Sequence, residues 1–108
     1  MTRENAIKAY LPMTETMYYI LLALAEPRHG YGVKIYVREI TSGRIDLAAG
    51  TIYNSLFKLE RDGLVSILAQ DGKRKIYVVS EIGLDILRAE ITRLNELCEN
   101  GSLLQLFA

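Results

Sequence analysis

Three consecutive cations, Lys73, Arg74 and Lys75, directly follow the dipeptide Asp71-Gly72. An Asp-Gly pair between two strand-like runs is a strong β-hairpin signal, and the runs "LVSILA" and "KIYVVS" flank it here. Cations at a hairpin tip can neutralise the phosphates of a nucleic acid. Alternatively, the charges could keep a soluble turn from pairing edge to edge with another strand. We favour phosphate contact.

A second set of polar residues lies on the helix that we predict just before the hairpin. In "TIYNSLFKLERDG", Ile52, Leu56 and Leu59 form one apolar stripe, and Gly63 closes the helix. The stripe predicts burial of that face. Polar side chains are left to face outward at Thr51, Asn54, Ser55, Lys58 and Arg61.

Further helices are expected on both sides of this pair of elements. Thr14 caps "ETMYYILLALAE", and "HGYGVKIYVREITSG" has helical apolar spacing with Gly43 as its stop. After the hairpin, Ser80 caps a long helix, "EIGLDILRAEITRLNELCEN", that ends at Gly101. Along it an apolar seam recurs in steps of three and four residues, as pairing with another helix requires. We predict a homodimer interface at Leu84, Leu87, Ile91, Leu94 and Cys98.

This order of elements is that of a winged helix-turn-helix. The predicted fold is mainly α with a small β-hairpin (α+β), with residues 1–80 as the DNA-binding part and 81–108 as a dimerisation helix and tail of one compact domain. In such a fold, the helix before the hairpin enters the major groove, whereas the hairpin contacts the backbone or minor groove. We therefore expect double-stranded DNA as a partner, bound through Thr51, Asn54, Ser55 and Lys58 as well as the three hairpin cations.

The distribution of charge agrees with this prediction although the net charge is zero. Residues 28–75 contain nine Lys and Arg against five Asp and Glu, whereas residues 81–99 contain five acids against two bases. The apolar run at 17–25 is too short to cross a bilayer, and the first fifteen residues do not form a secretory signal. We expect a cytoplasmic protein that does not enter membranes.

Catalytic chemistry is not expected. One histidine and one cysteine cannot provide a zinc-ligand set, and no pair of acids stands out. His29 is more consistent with a capping or packing role than with a catalytic base, and Cys98 with a small buried apolar group than with a redox sensor. We predict neither an enzyme nor a cofactor.

Three blocks of the sequence, "ILLALAEPRHGYGVKIY", "AGTIYNSLFKLERDGLV" and "KRKIYVVSEIG", closely resemble the PadR family of bacterial transcriptional regulators. The resemblance runs from about residue 12 to about residue 98. It implies a winged-helix dimer that represses transcription and releases its operator when a small molecule or other signal arrives. It also suggests that Tyr53 lies along the DNA backbone, although this side chain could instead cover the edge of the helix.

The single helix after the hairpin resembles the smaller PadR subfamily, in which that helix packs across the dimer interface. Two departures from the family pattern are visible. Ala48-Ala49 replaces the usual Ser-Pro, so the recognition helix lacks its expected cap and first-turn proline. The final helix also has no tryptophan, which some multidrug-sensing relatives use to hold flat ligands.

Two alternatives stay open. The apolar tail "SLLQLFA" could dock on another protein, with the winged helix as a scaffold, or the chain could be a ligand carrier without DNA activity. Tyr18 and Tyr19, with Tyr10 and Ile7 ahead of them, could line an effector cavity at the dimer interface, or they could serve packing alone.

Overall fold

A computed structural model describes residues 1–107, so Ala108 of the apolar tail lies outside the described residues. The fold is mainly helical with one antiparallel hairpin, a winged helix-turn-helix, as the sequence predicted. Its elements in chain order are α1 (Arg3–Tyr10), α2 (Glu15–Ala23), α3 (Gly30–Ile40), α4 (Ala49–Arg61), β1 (Val65–Asp71), β2 (Arg74–Val79), α5 (Glu81–Gly101) and a short 3₁₀ helix (Ser102–Leu106).

Side-chain caps fix the starts of most of these helices. Thr14 accepts a hydrogen bond from the Met17 amide, and Ser80 accepts one from the Gly83 amide, as predicted. His29 caps α3, because its Nδ1 atom accepts from the Gly32 amide at 3.0 Å. At the start of α4 the capping position is Ala48, which has no side-chain oxygen to offer. The absence of a cap on α4 was also predicted.

One apolar core lies between the helices and the inner side of the hairpin. The apolar stripe of α4 is buried at all three predicted positions, Ile52, Leu56 and Leu59. These side chains pack with buried residues of α2, α3 and α5, among them Ile20, Leu21, Val33, Val37 and Ile86. Burying one such aliphatic side chain contributes about 1.5–3 kcal/mol.

The hairpin, which we call the wing, has a loop one residue later than its Asp-Gly pair suggested. Asp71 pairs with Arg74, so the two-residue loop is Gly72-Lys73, with Gly72 at φ +61°. A two-residue hairpin loop favours glycine at this first position because positive φ is strained for other residues. Of the three cations, only Lys73 is in the loop, whereas Arg74 and Lys75 begin β2.

Backbone hydrogen bonds hold the wing against the helices. The Tyr77 amide donates to the Arg28 carbonyl at 2.9 Å, and the Arg28 amide donates back at 3.0 Å. The Val79 amide donates to the Leu24 carbonyl at 2.8 Å. Strand β2 is thus joined to the segment between α2 and α3, which fixes the wing relative to the helix-turn-helix.

The buried stripe of helix α5 overlaps the predicted seam only at Leu87. Gly83, Ile86, Leu87 and Glu90 face the body of the subunit, where α5 packs on α1 and α2. Leu87 was expected at a dimer interface, but it is 3% exposed and belongs to the subunit's own core. Leu84 is half-buried, while the remaining members of the predicted seam, Ile91, Leu94 and Cys98, are exposed.

The N-terminal segment carries two features that the sequence did not indicate. Helix α1 was not predicted, and it packs against α5. Glu90 of α5 is 1% exposed, and its carboxylate accepts hydrogen bonds from Arg93 and from the Met13 amide, the latter at 2.6 Å. Arg93 and the Met13 amide hold the pKa of Glu90 below its usual value, although burial opposes them. A buried carboxylate therefore links the N-terminal segment to α5.

Candidate nucleic-acid interface

The outer face of α4 is open to solvent along the whole helix. Five residues on the side of α4 opposite the buried stripe are exposed. We call them the outer face: Thr51, Asn54, Phe57, Lys58 and Arg61. Ser55, which was predicted to face outward, is half-buried at the side of the helix. The outer face is polar except for one aromatic ring.

That ring belongs to Phe57, which sequence reasoning missed. Its side chain is 68% exposed, although phenylalanine is usually buried. The helical period could have indicated its exposure. Each residue of an α-helix is rotated by about 100° from the one before, so Phe57 lies outside the stripe that contains Leu56. Asn54 and Arg61, at three residues before and four after Phe57, share its face.

The wing and the start of α4 enclose a cleft of about 440 Å³. The cleft brings together the three predicted wing cations, Lys73, Arg74 and Lys75, and the predicted contact residue Tyr53. All four side chains are exposed. The other lining residues are His29, Gly30, Tyr31 and Tyr77. Three cations beside phenolic hydroxyls make a site that favours a phosphate-bearing ligand.

Close packing against Gly30 positions Tyr53. A Cβ atom at Gly30 would lie 2.9 Å from Tyr53 Cε1 and 3.0 Å from Tyr53 Oη. Carbon atoms of separate residues rarely approach within 3.0 Å, so a larger residue at Gly30 would displace the ring. The absence of a side chain at Gly30 is therefore what lets Tyr53 lie across the start of α3.

A buried carboxylate supports the end of α4. Asp62 accepts hydrogen bonds from Tyr10 Oη at 2.6 Å and from Arg61 Nε at 3.1 Å. Arg61 and Tyr10 hold the pKa of Asp62 below its usual value. Lys58 Nζ lies 5.3 Å from the centre of the Tyr10 ring, within reach of a cation–π interaction. Tyr10 is thus engaged in the core, 6% exposed, and is not among the residues that line the cleft of Tyr18 and Tyr19.

Arg28 is a basic residue of the central region that serves the fold. Its guanidinium donates to the Ala23 carbonyl and stacks 4.0 Å from the centre of the Tyr36 ring. Its charge is therefore partly engaged within the subunit, unlike those of the wing cations.

A second cleft, of about 320 Å³, lies where α2 meets α5. Tyr18 and Tyr19 line it together with Met13, Glu15, Glu90 and Leu94. The two tyrosine rings meet edge to face with centroids 5.6 Å apart. The predicted effector residues Tyr18 and Tyr19 therefore share one cleft, at the place where α5 begins to expose its apolar side chains.

The last part of the chain exposes a series of large apolar residues. They begin on the second half of α5 and continue through the 3₁₀ helix; we call them the C-terminal apolar residues: Ile91, Leu94, Leu97, Leu103, Leu104, Leu106 and Phe107. Their exposure grows towards the end, reaching 83% at Phe107. A run of exposed apolar side chains of this size marks an interaction surface.

The described residues, 1–107, offer neither a metal site nor a membrane-spanning helix. That range contains no group of three or more His, Cys, Asp or Glu side chains that could bind a metal ion. None of its helices combines the length and the apolar character that crossing a bilayer demands.

The fold, with an exposed helix beside a cationic hairpin, makes this chain a winged helix-turn-helix protein. Comparison with known families identifies the family: the chain belongs to the transcriptional regulator PadR-like family, whose model matches residues 20–89. The match includes α3, α4, the wing and the first half of α5.

A curated relative is the uncharacterized 37.1 kDa protein in transposon TN4556 of Streptomyces fradiae, 31% identical over 72 residues. Those residues are 66% of this chain and 20% of the relative, so the chain spans about one fifth of the relative's length.

Two solved structures show the similarity in three dimensions. A PadR family transcriptional regulator from Eggerthella lenta DSM 2243 is 26% identical, with a TM-score of 0.67 covering 94% of this chain and 84% of that chain. PadR of Bacillus subtilis, solved in complex with operator DNA, is also 26% identical. Its TM-score is 0.62, covering 74% of this chain and 48% of that chain.

Proposed function

We propose that this PadR-like regulator binds an operator as a homodimer and represses transcription until a small molecule or another signal releases it. The observation that carries the proposal is the cleft at the start of α4. It places three wing cations and Tyr53 beside an uncovered helix face. A similar protein, PadR of Bacillus subtilis, is known in complex with operator DNA, which supports the same kind of ligand here.

The two parts of the interface have different roles in this proposal. The outer face of α4 enters the major groove, where Asn54 and Lys58 reach base edges and Thr51 contacts the backbone. The wing cations neutralise phosphates, which contributes affinity that is independent of sequence. Ser55 has a minor role, because it is half-buried at the side of the helix.

A second copy of the chain covers the C-terminal apolar residues. Ile91, Leu94 and Leu97 continue along α5 from the buried stripe, so pairing two α5 helices would extend the subunit's core across the interface. Cys98 lies on the same exposed part of α5 and becomes buried in the dimer. A two-fold dimer presents two copies of α4, so the operator is roughly palindromic, with half-sites one helical turn or a multiple apart.

Release follows if a ligand binds better to a dimer whose two α4 helices are misplaced for successive grooves. The cleft lined by Tyr18, Tyr19 and Leu94 is the place for such a ligand, because it adjoins the exposed part of α5. A ligand that weakens operator binding by some factor must itself bind the operator complex more weakly by the same factor. Titrating the ligand with and without operator tests this reciprocity.

Footprinting on the DNA upstream of the protein's own gene tests the proposal directly. The wild-type protein should protect a roughly palindromic site. Double alanine substitution at Lys58 and Arg74 should abolish protection, while the double variant stays folded because both residues are exposed. A control with alanine at Arg88, an exposed cation of α5, should protect the site as the wild type does.

The exposed tail favours a second candidate function, a protein-interaction module that uses the winged helix as a scaffold. In that case Leu104 and Phe107 would be required for partner binding, whereas Lys58 and Arg74 would be dispensable. Operator protection that is lost on alanine substitution of Lys58 and Arg74 would favour the regulator. A wild-type protein that leaves no footprint, and whose partner binding is lost when Leu104 and Phe107 are replaced by serine, would favour the module.

A further inference from the structure

We propose that Phe57 is a specificity-determining residue that reads the 5-methyl group of thymine in each operator half-site. The inference rests on the proposed function, because it requires the outer face of α4 to enter the major groove. It concerns a residue that neither the family motif nor the charge pattern singles out.

The exposure of Phe57 needs an explanation that packing does not provide. The stripe formed by Ile52, Leu56 and Leu59 already fills the inner side of α4, and Phe57 points away from it with 68% of its surface exposed. Leaving a phenyl ring in water forgoes the favourable free energy of burying its apolar surface. An occupant that covers the ring when DNA is bound would recover part of that energy.

The surroundings of Phe57 identify the occupant. Tyr53, Asn54 and Arg61 are its neighbours on the helix surface. Lys58 is the next residue, so the ring lies within a surface that is polar and cationic apart from the exposed ring of Tyr53. Such a surface is unsuited to an apolar protein partner but suited to DNA. In the major groove the 5-methyl group of thymine is the apolar feature of the base edges, and apolar side chains contact it. Phe57 is placed to make that contact.

The test begins with duplexes that the wild-type protein selects from a random double-stranded library. Each thymine of the selected site is then replaced in turn by deoxyuridine, which lacks only the 5-methyl group and keeps its pairing. Burying one methyl group corresponds to about fourfold in affinity, so replacement in both half-sites should weaken binding about fifteenfold at one symmetric position. The other thymines should show smaller effects.

Alanine variants test whether Phe57 causes the discrimination between thymine and deoxyuridine. Phe57→Ala should bind the thymine and deoxyuridine duplexes equally, with an unchanged unfolding transition because the ring is exposed. Leu68→Ala, which removes an exposed leucine from β1, should keep the wild-type discrimination. Wild-type binding that is indifferent to deoxyuridine at every position, or discrimination that persists in Phe57→Ala, would overturn the inference and leave the proposed function standing. A wild-type protein that selects no sequence would overturn both.

Discussion

Tyr53 owes its position to the absence of a side chain at Gly30. The ring lies so close to the Gly30 backbone that a Cβ atom there would overlap it at 2.9 Å. Tyr53 is also 55% exposed and lines the same cleft as the wing cations. A small change at Gly30 should therefore disturb the interface without disturbing the core.

We predict that Gly30→Ala weakens operator binding by about tenfold, because the Tyr53 ring is displaced from the cleft of the wing cations. A tenfold loss corresponds to the free energy of about one or two neutral hydrogen bonds. Fluorescence anisotropy with operator DNA measures the affinity. Gly32→Ala is the matched control in the same turn of α3: its Cβ atom would lie 3.6 Å from the nearest atom, so affinity should not change. Equal binding by Gly30→Ala and the wild type would contradict the role given to the glycine.

A double-mutant cycle separates this effect from a general loss of fold. In a Tyr53→Ala background there is no ring to displace, so Gly30→Ala should cause little further loss of operator affinity. If the two losses were additive, Gly30 would act independently of Tyr53.

At the scale of elements, α4 begins without a side-chain cap. Ala48 has the extended backbone of a capping residue, with φ −72° and ψ 146°, but no oxygen to accept from the first amides of the helix. We predict that Ala48→Ser raises the free energy of unfolding by about 1 kcal/mol, measured by urea denaturation. Ala49→Ser, one residue into the helix, should instead lower it slightly because serine has the lower helix propensity. An Ala48→Ser variant no more stable than the wild type would show that water already satisfies these amides.

The link between the N-terminal segment and α5 should depend on pH. The lowered pKa of Glu90 means that its charged form stabilises the fold, fully above the unfolded pKa of about 4.3 and less as the pH falls through the folded value. We predict that Glu90→Gln lowers the free energy of unfolding by about 1–3 kcal/mol near neutral pH. The difference from the wild type should shrink as the pH falls through the folded pKa of Glu90, because the carboxyl is then protonated in both the folded and the unfolded chain.

Urea denaturation at several pH values measures this difference. Glu96→Gln, at an exposed position on the same helix, should change the free energy of unfolding by less than about 0.5 kcal/mol. A Glu90→Gln variant whose deficit stays constant from neutral to acid pH would show that the charge of Glu90 is unimportant for the fold.

The elements could be predicted from sequence where one local signal dominates. Threonine and serine caps, the period of Ile52, Leu56 and Leu59, and the Asp-Gly pair each act within a few residues, and all of them were interpreted correctly to within a residue or two. Leu87 lies on the predicted dimer seam but is buried inside the subunit, because burial along α5 depends on where α1 and α2 pack. Apolar residues spaced three and four apart indicate which face of a helix is apolar, but not whether the same subunit or another molecule covers that face.

The site was predictable in part for the same reason. The sequence indicated the wing cations and Tyr53 separately, but only the backbone pairing of Arg28 with Tyr77 brings them to one cleft. That pairing joins residues far apart in the chain and has no local signature. Phe57 was missed because the outward side of the helix was identified by its polar side chains alone.

For the whole molecule, the C-terminal apolar residues should determine the oligomeric state. We predict that Leu97→Glu converts a dimer into a monomer, because it places a charge within an apolar helix interface. Analytical ultracentrifugation gives the mass, and operator binding should be lost with the dimer. Glu96→Gln, at the preceding residue, should remain dimeric. A monomeric wild type, or a dimeric Leu97→Glu variant, would contradict the assigned interface.

The distribution of charge over the molecule leads to the central test. The wing cations and the outer face of α4 give a protein without net charge one basic surface, and that surface should release counterions when it meets DNA. With about six to ten phosphate contacts per dimer, affinity should fall by about 10³ to 10⁵ between 50 and 200 mM salt. Alanine at Lys73, Arg74 and Lys75 together should make this dependence shallower, while leaving sequence preference unchanged.

The most direct measurement is therefore the affinity of the wild-type protein for its own upstream DNA at those two salt concentrations. The proposed function predicts tight binding at low salt that weakens steeply as salt is added. Weak binding that is indifferent to salt would contradict it.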